Sequence, residues 1–311
     1  MLMGVFNFIA AQNPYTFQYL NNPYVLNPAR AGFPENDEAC NSRTFLSHKQ
    51  FWEAIPNEHS LQILTTDIGF PKYNHGIGIT AYQENVHIIK NMGVQFAYAY
   101  HINFDNSNTP QRLSIGIDGG FNNTSLDLSN ANVRDMEDEL LLGGDFNSSN
   151  LGFSFGFTYQ LDDFFFDGAS QFFIGKNINS QNTSSRSEQQ YNLMASYNWE
   201  VSDVLTIKPI LLSRFYGTGP IEIGGNIKFD VSPKSDAFQP WAAIGYRNQS
   251  LDGTNHMNFS LGGVITNRYH FGLNFDTGID GYGAIAGNTF ELQLGFLWGR
   301  VGETLRPVVD L

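Results

Sequence analysis

Cysteine is all but missing: Cys40 is the single thiol in 311 residues. That excludes an intramolecular disulfide and any cysteine-based zinc site, and Cys40 reads as a minor buried or loop thiol, with no small apolar lipobox before it. Positive charge is scarce, with 17 Lys and Arg against 30 Asp and Glu and a net charge of −13. A nucleic-acid partner is therefore excluded, because such proteins cluster Lys and Arg on one face. No stretch approaches the ~18 apolar residues a membrane helix needs, so the chain can span a bilayer only as a barrel. Catalytic motifs are also lacking. The seven histidines (48, 59, 75, 87, 101, 256 and 270) contain no His-x-x-x-His pair. There is no Gly-x-Ser-x-Gly, and Gly76-Ile-Gly78 lies inside a strand pattern, where close backbone packing accounts for it. The acidic run Asp135 to Glu139 lacks the spaced ligands and glycine of a calcium loop and reads as a solvated loop. No enzyme activity, cofactor or metal follows from these residues.

What is abundant is aromatic and small. The chain has 27 Phe, 14 Tyr and 31 Gly, with glycine above its usual ~7%, a mixture that favours strands and tight turns. The dominant period is two. Leu151 to Leu161 alternates without a break, and Met92 to Phe104, Leu113 to Phe121, Ile221 to Phe229, Tyr269 to Phe275 and Phe290 to Trp298 follow the same period, with Gly119 and Gly225 standing at apolar-face positions. One face is apolar and aromatic; the other is Gly, Ser, Asn and charge.

About fourteen such segments, most of roughly 9 to 13 residues, match the ~9–11 residues of a tilted membrane strand better than the usual 5 to 6. Connections after even-numbered segments are short, as at Asp162-Asp163 and Asn267-Arg268, whereas 123–149, 177–188 and 278–288 are long. That asymmetry belongs to outer-membrane barrels, with short periplasmic turns and long extracellular loops. A propeller would repeat every ~40–45 residues with a blade signature, which is absent. A soluble sandwich would carry charge on its exposed face, whereas here charge sits mainly in loops. The expected fold is an all-β transmembrane antiparallel barrel of about 14 strands in a Gram-negative outer membrane.

On this reading Phe153, Phe155, Phe157, Phe271, Phe275 and Phe296 face lipid. The charges Asp118, Lys208, Arg214, Glu222, Lys228, His270, Asp276 and Glu291 face the lumen, where they either pair and fill the barrel or line a conduit or docking surface. Residues 1–12 read as a signal-peptide remnant ending Ala-Ala-Gln without a basic n-region. Residues 13–40 form a Pro-rich extended segment, 41–300 the barrel and 301–311 a tail. Proline and the residue before it are confined to geometries that cannot continue a ladder. The segment's backbone groups find water and inward polar groups at the periplasmic rim or in the lumen, and find neither in lipid.

The amino-terminal run Gln12-Asn-Pro-Tyr, followed by Asn22-Pro and Asn27-Pro-Ala-Arg-Ala-Gly32, resembles the opening of the PorP/SprF-like proteins of the type IX secretion system. Ala97-Tyr-Ala-Tyr100, Trp241-Ala-Ala-Ile-Gly-Tyr-Arg247, Phe271-Gly-Leu-Asn-Phe-Asp276 and Phe290-Glu-Leu-Gln-Leu-Gly295 are similar to later parts of that family, in order. Where the family commonly has Arg-Gln-Gln-Trp, this chain has Lys49-Gln-Phe-Trp52. The resemblance implies a non-catalytic outer-membrane protein that aids export or cell-surface anchoring of a large surface protein or gliding adhesin. Its partners would be that client, the periplasmic lipoprotein and ring components of the secretion machinery, and outer-membrane lipid. Asn27, Pro28, Gly32, Trp52, Tyr246 and Arg247 are the candidate partner-binding residues. A porin or substrate-specific channel is the alternative.

Overall fold

The computed structural model describes residues 16–33, 42–51, 59–104, 110–126, 147–176, 186–217, 221–233, 237–249, 254–280 and 287–298. The signal-like run 1–12, Cys40, Trp52, the acidic run 135–139 and the tail 301–311 lie outside the described residues.

The strands are β1 (Ser42–Phe51), β2 (His59–Phe70), β3 (His75–Val86), β4 (Ile89–Asn103), β5 (Gln111–Leu126), β6 (Asn147–Leu161), β7 (Phe164–Lys176), β8 (Arg186–Tyr197), β9 (Trp199–Ser202), β10 (Leu205–Tyr216), β11 (Ile221–Val231), β12 (Phe238–Gln249), β13 (Thr254–Ile265), β14 (Tyr269–Gly278) and β15 (Thr289–Trp298). Each pairs antiparallel with its neighbour, and β1 pairs with β15, for example Leu46 opposite Leu294, closing the sheet. Strand β9 continues β8 after a break at Asn198, and both pair with β10. The result is a barrel of fourteen staves, the architecture the period-two pattern implies.

Alternation fixes which side faces out. On β6, Phe155 is 58% exposed while its neighbour Ser154 is buried. Phe153, Phe157 and Phe296 are likewise exposed on the outer wall. Phe271 and Phe275 share that face but are half-covered, Phe271 stacking on Phe238 and Phe275 lying against Phe290. In lipid these rings need no partner, which is why a chain of ordinary hydrophobic content can afford so many exposed aromatics.

One rim carries the short turns 71–74, 162–163 and 266–268 and leads into β1; the other carries 127–146 and 177–185. The turn at His87 and Ile88 is a tight exception on the long-loop rim, with His87 at φ 56°. Strands β4, β5 and β6 have 15, 16 and 15 residues, more than the ~9–11 a membrane requires. Their exposed apolar side chains stop at Met92, Phe121 and Leu151. Beyond those residues the wall continues on the long-loop side with mostly polar residues, Lys90, Asn91, Asn122 to Ser125 and Asn147 to Asn150, still paired in register up to the terminal pair Ile89 and Leu126. A polar curtain therefore stands above the membrane on that side.

Residues 16–33 depart from the extended course read from the sequence. They form three 3-10 turns, Phe17–Leu20, Pro23–Val25 and Pro28–Arg30. Proline pre-sets the φ of a first helical position and forfeits an N–H that would be unpaired there anyway, and an extended residue caps the first and third turns. The segment lies within the barrel, where nearly every residue is buried.

Candidate functional site

The lumen and its inserted segment form the candidate site. Its chemistry begins with caps. Thr16 caps the first turn, its Oγ1 accepting from Gln18 N at 3.0 Å. That hydroxyl also donates to Glu291 Oε1 at 2.5 Å, and Phe17 N donates to Glu291 Oε2 at 2.8 Å. One inward carboxylate on β15 thus anchors the start of the segment. Lys49 on β1 lies 4.8 Å from the Phe17 ring centroid.

Asn22 donates to Thr65 Oγ1 on β2 at 2.9 Å. Around it, Phe17, Tyr19, Leu20 and Leu26 pack against Met194, Ile210, Leu212 and Ala243 on β8, β10 and β12. Here the inward face is apolar, contrary to the wet or small face that the sequence suggests, because the segment brings its own apolar surface to cover it. Tyr19 also accepts a hydrogen bond from Asn226 at 2.7 Å, and Asn258 donates to Asn226 at 2.7 Å. Burial pushes the Tyr24 hydroxyl well above the ordinary phenol range, so it remains a neutral group, accepting from Thr80 at 3.3 Å.

The run Asn27-Pro-Ala-Arg-Ala-Gly32 is consumed by contacts with the wall. Asn27 Oδ1 accepts from Ala29 N at 3.0 Å, capping the third turn, while its Nδ2 donates to Phe157 O, Thr158 Oγ1 and Asp167 Oδ1 at 2.9, 3.1 and 3.1 Å. Arg30 grips Asp167 with Nε and Nη2 at 2.7 and 2.8 Å and lies over the rings of Phe33 and Phe165. Gly32 adopts φ +57°, and its N–H donates to Asp67 Oδ2 at 2.9 Å. Arg43 closes that corner with 2.8 and 3.2 Å bonds to the same oxygen.

The wall is cut to receive this run. A Cβ at Gly76 would stand 1.9 Å from Ala31 O, one at Gly116 2.4 Å from Ala29 N, and one at Gly156 2.0 Å from Asn27 Oδ1. The inward glycines of β3, β5 and β6 are therefore a docking groove for the third turn, a close backbone approach that only glycine permits.

The structure puts the eight expected lumenal charges on the inward wall and distributes them. Asp276 binds His256 at 2.8 Å and Arg247 at 3.1 Å, and Arg247 also approaches Glu222 at 3.6 Å. This group lies toward the long-loop rim, as does fully buried Arg214. Lys228 pairs with Asp230 at 2.7 Å; His270 packs on Phe45; Lys208 lies 5.9 Å from the Phe165 ring; Glu291 holds the segment; Asp118 faces a small cavity. Among the partner-binding candidates, Asn27, Pro28 and Gly32 sit together within the segment, against the wall. Arg247 belongs to the ion-pair group near the other rim. Tyr246 points outward beside it, its hydroxyl donating to Asn255, and lines an apolar groove of about 650 Å³ on the lipid-facing wall. The five described candidates do not form one patch, and Trp52 lies outside the described residues. The sequence reading missed Asp67 and Asp167, the carboxylates that hold the segment; both lie at inward positions of their strands, and parity alone could have nominated them.

Among the described residues, no three His, Cys, Asp or Glu side chains gather as a metal cluster.

The profile of a family described as type IX secretion system membrane protein PorP/SprF matches residues 8–296. No curated protein matches the chain. Among solved structures, the chain is similar to the CymD monoaromatic hydrocarbon channel, at 10% identity over 90% of this chain and 92% of that one, with a TM-score of 0.51. It is similar also to a TodX deltaS2S3 mutant monoaromatic hydrocarbon channel, at 8% identity over 88% and 92%, with a TM-score of 0.50. At such identity the likeness shows a shared barrel fold and nothing of the cargo.

Proposed function

This chain belongs to the PorP/SprF family of type IX secretion membrane proteins, and on that premise we propose that it is a non-catalytic docking barrel of the outer membrane that aids export or surface anchoring of a large surface protein or adhesin. The observation that carries this reading is the filled lumen: a porin keeps its interior for solute, whereas here residues 16–33 occupy it through buried ion pairs and caps. A cavity between the segment and inward residues of β3 to β8 is about 20 Å³, the room of a single small ion or water. A lumen so occupied by buried ion pairs suits a platform that a partner meets without large rearrangement. The polar curtain of β4 to β6 offers that platform on the long-loop side, where recognition loops stand on a fixed scaffold. The short-turn rim, reached by the chain just after Gly32, is the surface proposed for the periplasmic lipoprotein and ring components.

The test is affinity purification of the tagged protein from native outer membrane, with mass spectrometry, beside planar-bilayer recording of the same preparation. The expected result is co-purification of one large surface protein and of secretion-machinery components, with little steady conductance. A large steady conductance with no co-purifying secretion protein would overturn the proposal in favour of a porin.

A further inference from the structure

Most inward carboxylates have a basic partner: Asp67 has Arg43, Asp167 has Arg30, and Asp276 has Arg247 and His256. Asp118, midway along β5, is different. It is bonded to Ser154 on the neighbouring β6, and among the described residues no ion pair includes it. Its Oδ1 is buried without a hydrogen-bond partner.

The cavity of about 20 Å³ at this carboxylate lies between the inserted segment and the wall. Asp118 is the one charged residue among those lining it. A second oxygen points to a ligand. Gln171 on β7, only 5% exposed, lines the same cavity, and its Oε1 also has no partner. Thr80, Ser154 and Tyr24 also line the cavity, Thr80 Oγ1 donating to the Tyr24 hydroxyl at 3.3 Å. Leaving one carboxylate oxygen and one amide oxygen buried without a partner is unfavourable, so something electropositive belongs beside them.

We propose that this cavity binds one small monovalent cation, sodium-sized, between Asp118, Gln171 and the inserted segment. One negative charge balances one positive charge. Calcium needs six to eight oxygen ligands, commonly with several carboxylates, and magnesium keeps an octahedral shell with its waters; a single carboxylate in a space this small suits neither. Because Tyr24, Asn27 and Pro28 form the segment's side of the cavity, the ion joins the segment to the wall.

The experiment follows thermal unfolding of the purified, detergent-solubilised barrel in sodium chloride and in choline chloride at equal ionic strength. Choline is too large for the cavity and controls for screening. The expected result is a melting temperature that rises with sodium and saturates, as binding to the folded state requires, and no such rise in Asp118→Asn. Gln171→Met, which keeps the charge and removes one ligand oxygen, should shift saturation to higher sodium. Equal melting temperatures in the two salts would mean that a proton or a water fills the site, and would overturn the proposal. So would a saturating sodium effect that persists unchanged in Asp118→Asn.

Discussion

Arg30 has side-chain exposure of 6%, and its partner Asp167 3%, so their bidentate pair works in a low-dielectric interior. Removing one member strands the other: Arg30→Met should cost about 3–5 kcal/mol, read as a lower transition in heat-modifiability gels or thermal scans. The double variant Arg30→Met with Asp167→Leu should recover part of that loss, since no bare carboxylate remains. Recovery stays partial because Asp167 also accepts from Asn27 and Thr158. Full additivity of the two single losses would show that the pair is not coupled. Gly32 illustrates a different constraint at the same scale. At φ +57° a side chain is strained, and a Cβ there would also stand 2.4 Å from Ile68 O, so conformation and space both demand glycine.

Among the elements, the strand is the unit whose two faces meet different solvents. Phe155 is exposed to lipid near the middle of β6, between Phe153 and Phe157. Phe155→Arg places a charge in hydrocarbon and should cost about 2–4 kcal/mol of barrel stability, whereas Phe155→Leu should cost far less; urea-induced unfolding in lipid vesicles measures both. Equal losses would overturn the outward assignment. The inward face behaves as a packed protein interior and not as the wall of a wet channel. Ser154 and Thr158 are buried there, beside Asp118 and Asp167 respectively. The first and third 3-10 turns follow the same logic, fitting different pieces of wall: Phe17 to Leu20 the apolar patch of β8, β10 and β12, and Pro28 to Arg30 the glycine groove.

For the whole molecule, the consequence is a barrel filled by its own chain. A fourteen-stave barrel is wide enough to hold water unless side chains or an inserted segment occupy it. Deleting residues 16–32 should therefore leave a heat-modifiable barrel whose single-channel conductance in planar bilayers exceeds that of the intact protein. Unchanged conductance in a folded deletion variant would mean that the segment does not close the path. The ladder from β1 to β15 closes without the segment, so the deletion leaves every strand pairing in place.

The stave count, the outward set of aromatics, the unequal rims and the membrane setting were all legible in the sequence. They follow from the period of two and from connection length, which are local properties. The family was legible as well, through Asn27-Pro-Ala-Arg-Ala-Gly32. What that run does was not. The contacts of the segment that contains it join residues as far apart as Asn27 and Asp167, or Thr16 and Glu291, and no periodicity records a pairing across the lumen. The tertiary structure alone decided that the segment folds inside, that it coils into three short turns, and that the inward glycines of β3, β5 and β6 accommodate its backbone. The physical reason is closure: only when the sheet returns on itself do small residues on separate strands converge into a groove, and only then does a buried carboxylate acquire its partner.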